Sequence, residues 1–229
     1  MTDDLMREQL AYYEARATEY DEVYLRRGRH DRGTADNAAW LAELAVAESA
    51  LVDFRADGDV LELACGTGHW TVLLARLAVR LMAVDGSAAS LAIARRAVRG
   101  ANVEFVHADI FEWEPPRLFD VVFLGFWLAH VPPSRLGAFW HLVSRSLRVG
   151  GRVFLVDGPH TPAADERGAV AEGVPVEVRR LSDGREFRAV KVRYDLGALV
   201  ADLRLLGWEA TFTTSGRFFF GSVVRAARR

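Results

Sequence analysis

The stretch that decides the fold is Val60-Leu61-Glu62-Leu63-Ala64-Cys65-Gly66-Thr67-Gly68-His69-Trp70. A short apolar strand ends in two glycines one residue apart, and Trp70 to Leu77 reads as a helix. Strand, tight glycine turn and helix together bring backbone close to a ligand beyond the carboxyl end of a buried strand. Outward from this stretch, strands are expected at Val79 to Val84, Val103 to His107, Phe119 to Leu124 and Arg152 to Val156. Helices are expected between them, at Ala88 to Val98 and from an N-cap at Ser134 to about Leu147, and Gly150-Gly151 punctuates before the last strand. Near-continuous apolar strands alternating with helices indicate an α/β fold whose parallel sheet is covered on both faces.

The flanks differ. Residues 1–56 read as a helical, amphipathic region. Tyr13, Tyr20 and Tyr24 recur at intervals of seven and four, which predicts one helix face over Leu10 to Tyr24. Residues 26–33 break the pattern, and Asn37 to Phe54 is helical again, with Trp40, Leu41, Leu44 and Leu51 on one stripe. Beyond residue 157, Val174 to Leu181 and Glu186 to Tyr194 flank Asp183-Gly184, a hairpin turn signal. A helix, Leu196 to Leu206, ends at Gly207, and Trp208 to Thr214 with Phe218 to Arg225 form a second hairpin around Ser215-Gly216.

Composition narrows the function. The 229 residues carry 29 Lys and Arg against 31 Asp and Glu, a net charge of −2 that argues against a general nucleic-acid binder. Hydrophobic residues make up 51%, enough for a core and against disorder. The single cysteine, Cys65, rules out an intramolecular disulfide framework and a zinc site built on Cys pairs, and it fits a reducing compartment. It reads as a small packing residue in the turn. No targeting signal is visible in Met1-Thr2-Asp3-Asp4, and the longest apolar stretch, Val121 to Val131, falls short of the ~20 residues a membrane span needs. The expectation is a cytoplasmic protein with a small-molecule substrate, no nucleic-acid or membrane partner and no metal, existing as a monomer or homodimer.

Three ligands suit a glycine turn of this kind. A P-loop is excluded because no Gly-Lys-Ser/Thr follows, and a dinucleotide fingerprint would need glycine where Thr71 stands. S-adenosylmethionine (SAM) carries no phosphate and needs an acid for its ribose hydroxyls. Asp85 ends the second strand, where an ionised carboxylate can accept both hydroxyls. It would serve NAD equally, or cap a helix. Asp109, after the third strand, tips the choice, because a carboxylate there can accept from an adenine amino group.

On these residues the sequence resembles the class I SAM-dependent methyltransferases. The likeness runs through Glu62 to Gly68, Val84-Asp85-Gly86-Ser87, Ala108-Asp109-Ile110, Phe119-Asp120 and Gly150-Gly151. It implies a Rossmann-like, seven-stranded, mostly parallel sheet with an antiparallel last strand, a helical lid at 1–56, and a SAM-binding domain at 57–229 with a hairpin insertion at 174–194. A further resemblance lies outside the core. Tyr12-Tyr13-Glu14-Ala15-Arg16 with Tyr20-Asp21, Gly125 to Pro132, and Leu181 to Val192 look like small-molecule O-methyltransferases of the dehydrophos phosphonate type. A more distant likeness, through Tyr20 to Tyr24 and Gly216 to Gly221, is to sugar-amine N-methyltransferases.

The resemblance implies a set of site residues. Tyr12, Tyr20, Glu62, Ala64, Gly66, Gly68, Trp70, Asp85, Gly86, Ser87, Asp109, Ile110 and Phe126 would bind the cofactor, with S-adenosylhomocysteine (SAH) as product. Arg179 and Lys191 occupy the positions that hold the acceptor's anionic group in the phosphonate enzymes. Two cations on neighbouring strands can neutralise a phosphonate or carboxylate. The aromatic anion contact expected in the N-terminal loop has no clean match in Leu25-Arg26-Arg27-Gly28-Arg29. Tyr24, Trp127 and His130 would complete the acceptor site, with His130 as a general base or an orienting group. The expected reaction is methyl transfer to an oxygen of a small anionic metabolite in secondary metabolism. The alternatives are N-methylation of an amine or amino sugar, a non-catalytic SAM-binding module and, more remotely, a NAD-dependent oxidoreductase.

Overall fold

The structure, a computed structural model, describes residues 2–158, 167–171 and 173–227. Its elements run α1 (Thr2–Arg16), α2 (Glu22–Leu25), α3 (Thr34–Phe54), β1 (Asp59–Leu63), α4 (His69–Leu77), β2 (Arg80–Asp85), α5 (Ala88–Ala97), β3 (Val103–His107) and β4 (Phe119–Gly125). They continue with α6 (Leu136–Ser146), β5 (Leu147–Asp157), β6 (Arg167–Ala171), β7 (Val174–Arg180), β8 (Glu186–Val190), α7 (Leu196–Leu205), β9 (Trp208–Thr214) and β10 (Phe219–Arg225).

Seven strands form one sheet in the order β3-β2-β1-β4-β5-β10-β9. β1 to β5 pair in parallel, and β10 runs antiparallel to both β5 and β9. β1 is buried along its whole length because it pairs on both edges and is covered on both faces. One face packs against α6 and α7 through Phe139, Trp140, Leu199 and Leu203. The other packs against α3 and α4 through Leu44, Leu51 and Leu74. Chain order reverses between β1 and β4, which opens a crevice past their carboxyl ends.

The second hairpin of the sequence reading becomes β9–β10, and the first becomes part of a separate antiparallel sheet, β6-β7-β8. Strand β6 had no sequence signal, since Arg167-Gly168-Ala169-Val170-Ala171 lacks apolar alternation. α1 packs on this small sheet, with Leu5 meeting Val174, Val176 and Val190, and Tyr12 meeting Leu181 and Ala189.

Four expectations need correction. The helix expected over Leu10 to Tyr24 stops at Arg16 and resumes only at Glu22. Arg16 is buried there, donating to Tyr12 Oη at 2.6 Å and lying 3.3 Å from His30 Nε2. The break lets Tyr20 swing over the glycine turn, 3.6 Å from where a Cβ on Gly66 would stand. Ser134 caps no helix. Pro132-Pro133 leads into a short 3₁₀ turn at Pro133–Arg135, and α6 begins at Leu136. On α3 the buried stripe is Leu44, Ala47 and Leu51, while Leu41 is 49% exposed. Finally, β5 runs straight through Gly150-Gly151, and its register against β4 shifts there, between the pairs Phe119–Leu147 and Val121–Arg152.

At the opposite end of the sheet from the crevice, Asp59 accepts from Arg80 Nε at 2.5 Å, Arg80 Nη2 at 2.6 Å and Arg148 Nη2 at 2.7 Å. The hydrogen-bonded Arg80 guanidinium, with Arg148, holds this carboxyl down at about 2, against an ordinary 3.8. A carboxylate with a depressed pKa stabilises the fold above its unfolded pKa, and the contribution disappears as pH falls from 3.8 through about 2. Both arginines are substantially exposed, so solvent screening reduces the contribution to about 1 kcal/mol. Asp59→Asn should therefore lower the urea midpoint at pH 7 and flatten its dependence between pH 4 and pH 2. An unchanged acid limb would count against this role.

Candidate functional site

The crevice is built on the end of β1. Ala64 leaves the strand with φ 59°, and Gly66 and Gly68 follow at 55° and 93°, all in the left-handed region. The Gly66 N–H donates to Asp85 Oδ2 at 2.7 Å, and the Ser87 N–H donates to Oδ1 at 2.8 Å. Each oxygen of Asp85 is thus anchored once. A carboxylate has about four acceptor positions, so roughly two remain for a ligand diol. Burial raises the Asp85 pKa, opposed by the two backbone N–H groups. Asp109 accepts the Phe111 N–H through Oδ1 at 2.9 Å, which leaves Oδ2 outside that bond.

Around these acids lies a crevice. It is bordered by Tyr20, Ala64, Gly66, Asp85, Gly86, Asp109, Ile110, Phe126, Trp127 and His130 from the expected set. Five expected cofactor residues lie elsewhere. Gly68 packs behind the turn, where an added Cβ would come within 3.1 Å of Ala94 Cβ. Trp70 is buried in the core against Phe123. Ser87 is fully buried as the N-cap of α5 and donates to Glu14 Oε2 at 2.6 Å. Tyr12 turns toward Phe187 on the small sheet. Glu62 is buried on β1, next to Asp85 in charge terms but outside the crevice lining. Burial pushes its carboxyl up to about 8, and its Oε2 has no hydrogen-bond partner.

Met6, Gln9 and Leu10, which with Tyr13 form the wall supplied by α1, had no signal in the sequence. Gln9 Nε2 donates to the His130 carbonyl at 3.2 Å, and Gln9 Oε1 accepts the Val190 N–H at 2.9 Å, so one side chain ties helix, loop and small sheet together. Phe126 was expected, but its left-handed backbone, φ 55°, was not. A bulky residue there is strained by ~1–3 kcal/mol, and a hydrogen bond from its N–H to the Val156 carbonyl at 2.8 Å helps hold it.

A second cavity shares Tyr13, Tyr20, Phe126 and His130 with the first. The expected Tyr24, Arg179 and Lys191 line it, and Trp127 does not. Arg16, unforeseen as a site residue, lines it too. All three cations are buried. Arg179 Nη2 lies 3.0 Å from Glu177 Oε2, and Glu177 Oε1 lies 3.3 Å from the exposed Arg193. Burial lowers the Lys191 pKa, opposed by Asp157, whose own carboxyl burial raises.

His130 sits where the two cavities meet. Its Nδ1 donates to the Val190 carbonyl at 2.7 Å, so whenever the ring is neutral Nε2 is the acceptor nitrogen. Tyr13 Oη, 3.0 Å from that nitrogen, donates to it. Burial keeps the Tyr13 phenol protonated, with Arg179 pulling the other way. The phenol hydrogen therefore points at His130, and the oxygen lone pairs are what Tyr13 presents. Among the described residues no group of three or more His, Cys, Asp or Glu side chains is placed to hold a metal ion. No helix of the described residues is long and apolar enough to cross a membrane.

These features fit a nucleoside sulfonium. Asp85 has acceptor capacity for a diol, and Ile110 and Phe111 stand beside Asp109 in the crevice lining. Residues 60–151 match a methyltransferase-domain family model. Trans-aconitate 2-methyltransferase of Escherichia coli is 38% identical over 87 residues, 37% of this chain and 33% of that protein. A 23S rRNA (uracil(1939)-C(5))-methyltransferase of Edwardsiella ictaluri is 42% identical over 33% of this chain, and the match spans 18% of its own length. The chain thus spans a third or less of these curated relatives. Two solved structures match end to end. A DhpI–SAH complex is 38% identical with a TM-score of 0.79, covering 98% of both chains. A DhpI–SAM–HEP complex is 36% identical with a TM-score of 0.78, covering 96% of this chain and 97% of the other. With this sheet order, this glycine turn and an end-to-end match of that identity, the chain belongs to the class I SAM-dependent methyltransferases.

Proposed function

We propose that the protein transfers a methyl group from SAM to an oxygen of a small anionic metabolite, a carboxylate or phosphonate, in secondary metabolism. The observation that carries the acceptor is the second cavity, where Arg16, Arg179 and Lys191 are all buried around one space that meets the SAM crevice at Tyr13 and His130. Three buried cations converging on one space make its field positive, so an anion is the ligand this cavity favours. Glu177 and Asp157, the acids beside these cations, are engaged with Arg179, Arg193 and Lys191, and among the described residues no carboxylate lines the cavity to receive a cationic amine.

When bound, SAM supplies an electrophilic methyl on a sulfonium. The protein's own work is placement and exclusion of water. Arg179 and Lys191 orient the acceptor anion. Tyr13 turns its phenol oxygen, not its hydrogen, toward the meeting point of the cavities. An ionised oxygen needs no general base, so His130 acts by orienting Tyr13, its Nε2 lone pair being taken up by that phenol. Positioning of this kind contributes up to ~7–11 kcal/mol to a bimolecular step. α1 serves as the lid, since Met6, Gln9, Leu10 and Tyr13 cover the crevice.

The experiment has two stages. Calorimetry should show SAH binding by the full chain. Labelled SAM should then pass its methyl group to members of a carboxylate and phosphonate panel, and not to amines, with ester products seen by mass spectrometry. Transfer to amines alone would replace the proposal by N-methylation, and SAH binding with no transfer to any acceptor would favour a non-catalytic module.

A further inference from the structure

The cationic end of the second cavity occupies only part of it. The rest is an aromatic band. Trp40 and Phe218 lie 4.9 Å apart between ring centroids, Phe218 and Phe126 5.6 Å, and Phe126 and Tyr24 5.9 Å, each edge-on to the next. Val23 lines the cavity beside them. These rings come from four separate segments of chain, so only the fold assembles the band.

The wall is rigid. The Arg26 guanidinium stands 4.5 Å from the Trp40 ring centroid and is fixed by Asp36 at 3.1 Å and Asn37 at 3.3 Å. Phe126 is held in its left-handed conformation by the bond to Val156. An apolar surface preorganised in this way loses little entropy when it receives a ligand. A small acid seated at Arg179 and Lys191 would leave these rings without contact, whereas an apolar group placed against them is removed from water, which is favourable.

We propose that the acceptor is an amphiphilic acid. Its anionic head is held by Arg16, Arg179 and Lys191 beside Tyr13 and His130, and an apolar, ring-sized body lies along Trp40, Phe126 and Phe218. This rests on the anionic-acceptor reading above and narrows it. The head is the group that receives the methyl, because it alone lies where the two cavities meet. Arg16 Nε, buried and without a hydrogen-bond partner, is a further donor at that end.

The test is competitive calorimetry on the full chain saturated with SAH, using methylphosphonate and acetate as small probes and benzylphosphonate and phenylacetate as ring-bearing ones. Each ring-bearing acid should bind at least ~10-fold more tightly than its small counterpart, about 1.4 kcal/mol. Trp40→Leu and Phe218→Leu should bring that ratio toward one, with SAH affinity retained as the check that the fold is intact. Equal affinities for small and ring-bearing acids in the native chain would overturn the amphiphilic assignment alone, with the anionic site intact. Binding of none of the four acids, with SAH still bound, would overturn both this inference and the anionic-acceptor reading. A ratio that survives both substitutions would place the ring elsewhere and also overturn it.

Discussion

Lys191→Met is expected to lower kcat/KM for an anionic acceptor by about 2–4 kcal/mol, ~30- to ~1000-fold, while SAH affinity stays within ~3-fold. Lys191 is buried just beyond β8, and its backbone N–H is fixed on the Pro175 carbonyl at 2.9 Å, so methionine can keep the packing and remove only the charge. Burial lowers its pKa, opposed by Asp157, and an incoming anion would act in the same direction as Asp157; in so dry a site the pair is worth more to a bound acid than one with a surface lysine. Asp157 keeps its backbone donors, Ala129 at 3.0 Å and Gly158 at 2.8 Å, after the substitution. Arg179 is a poorer probe, because its loss also removes the 3.0 Å ion pair with the buried Glu177 and mixes a folding defect with a binding one. Steady-state kinetics with SAH calorimetry separates the two. Unchanged kcat/KM on acids would remove Lys191 from the acceptor site.

Asp85→Asn should weaken SAH about 100-fold. Hydrogen bonds to a charged acceptor are worth about 1.5–3 kcal/mol each, and the amide nitrogen cannot accept at all. The loss extends to the turn itself, since the Gly66 and Ser87 N–H groups both rely on this carboxylate. The pH dependence has a defined sign. Burial raises the Asp85 pKa, so protonation begins at a higher pH than for an exposed aspartate and removes the acceptor. SAH affinity of the native chain should fall as pH drops through that raised value, and the Asn variant should lack this limb. Calorimetry across an acid series measures both. An acid limb retained in Asp85→Asn would assign the titration to another group.

Gly66, Asp85 and Asp109 were legible because each ends or follows a strand whose apolar run is local, and parallel pairing brings all three to one edge. Gly68 and Trp70 belong to the same local motif, yet their side of the turn faces α5 and the core. Nothing in the linear order says which face of a turn meets the ligand. Leu41 shows the same limit on a helix, where a correct period still left the stripe one position out of place. Tyr12 and Tyr13 are neighbours that part company. Tyr12 is drawn to Phe187 and Arg16, Tyr13 to His130. That choice is made by the small sheet, whose strand β6 left no trace in the sequence. Arg16 was visible within a motif, but its burial depends on a break between α1 and α2 that helix periodicity does not show.

The amino-acid order alone determined the alternating architecture, the glycine turn, an acid at the end of the second strand and the two hairpins, because each rests on short-range pattern, where apolar period and turn chemistry act within a few residues. The tertiary structure alone decided that Arg16 joins Arg179 and Lys191, that Tyr13 stands between His130 and the crevice, and that Trp40, Phe126 and Phe218 form one wall. Those contacts join segments far apart in the chain, and they are set by how α1, α3 and the small sheet close over the carboxyl edge of the large one.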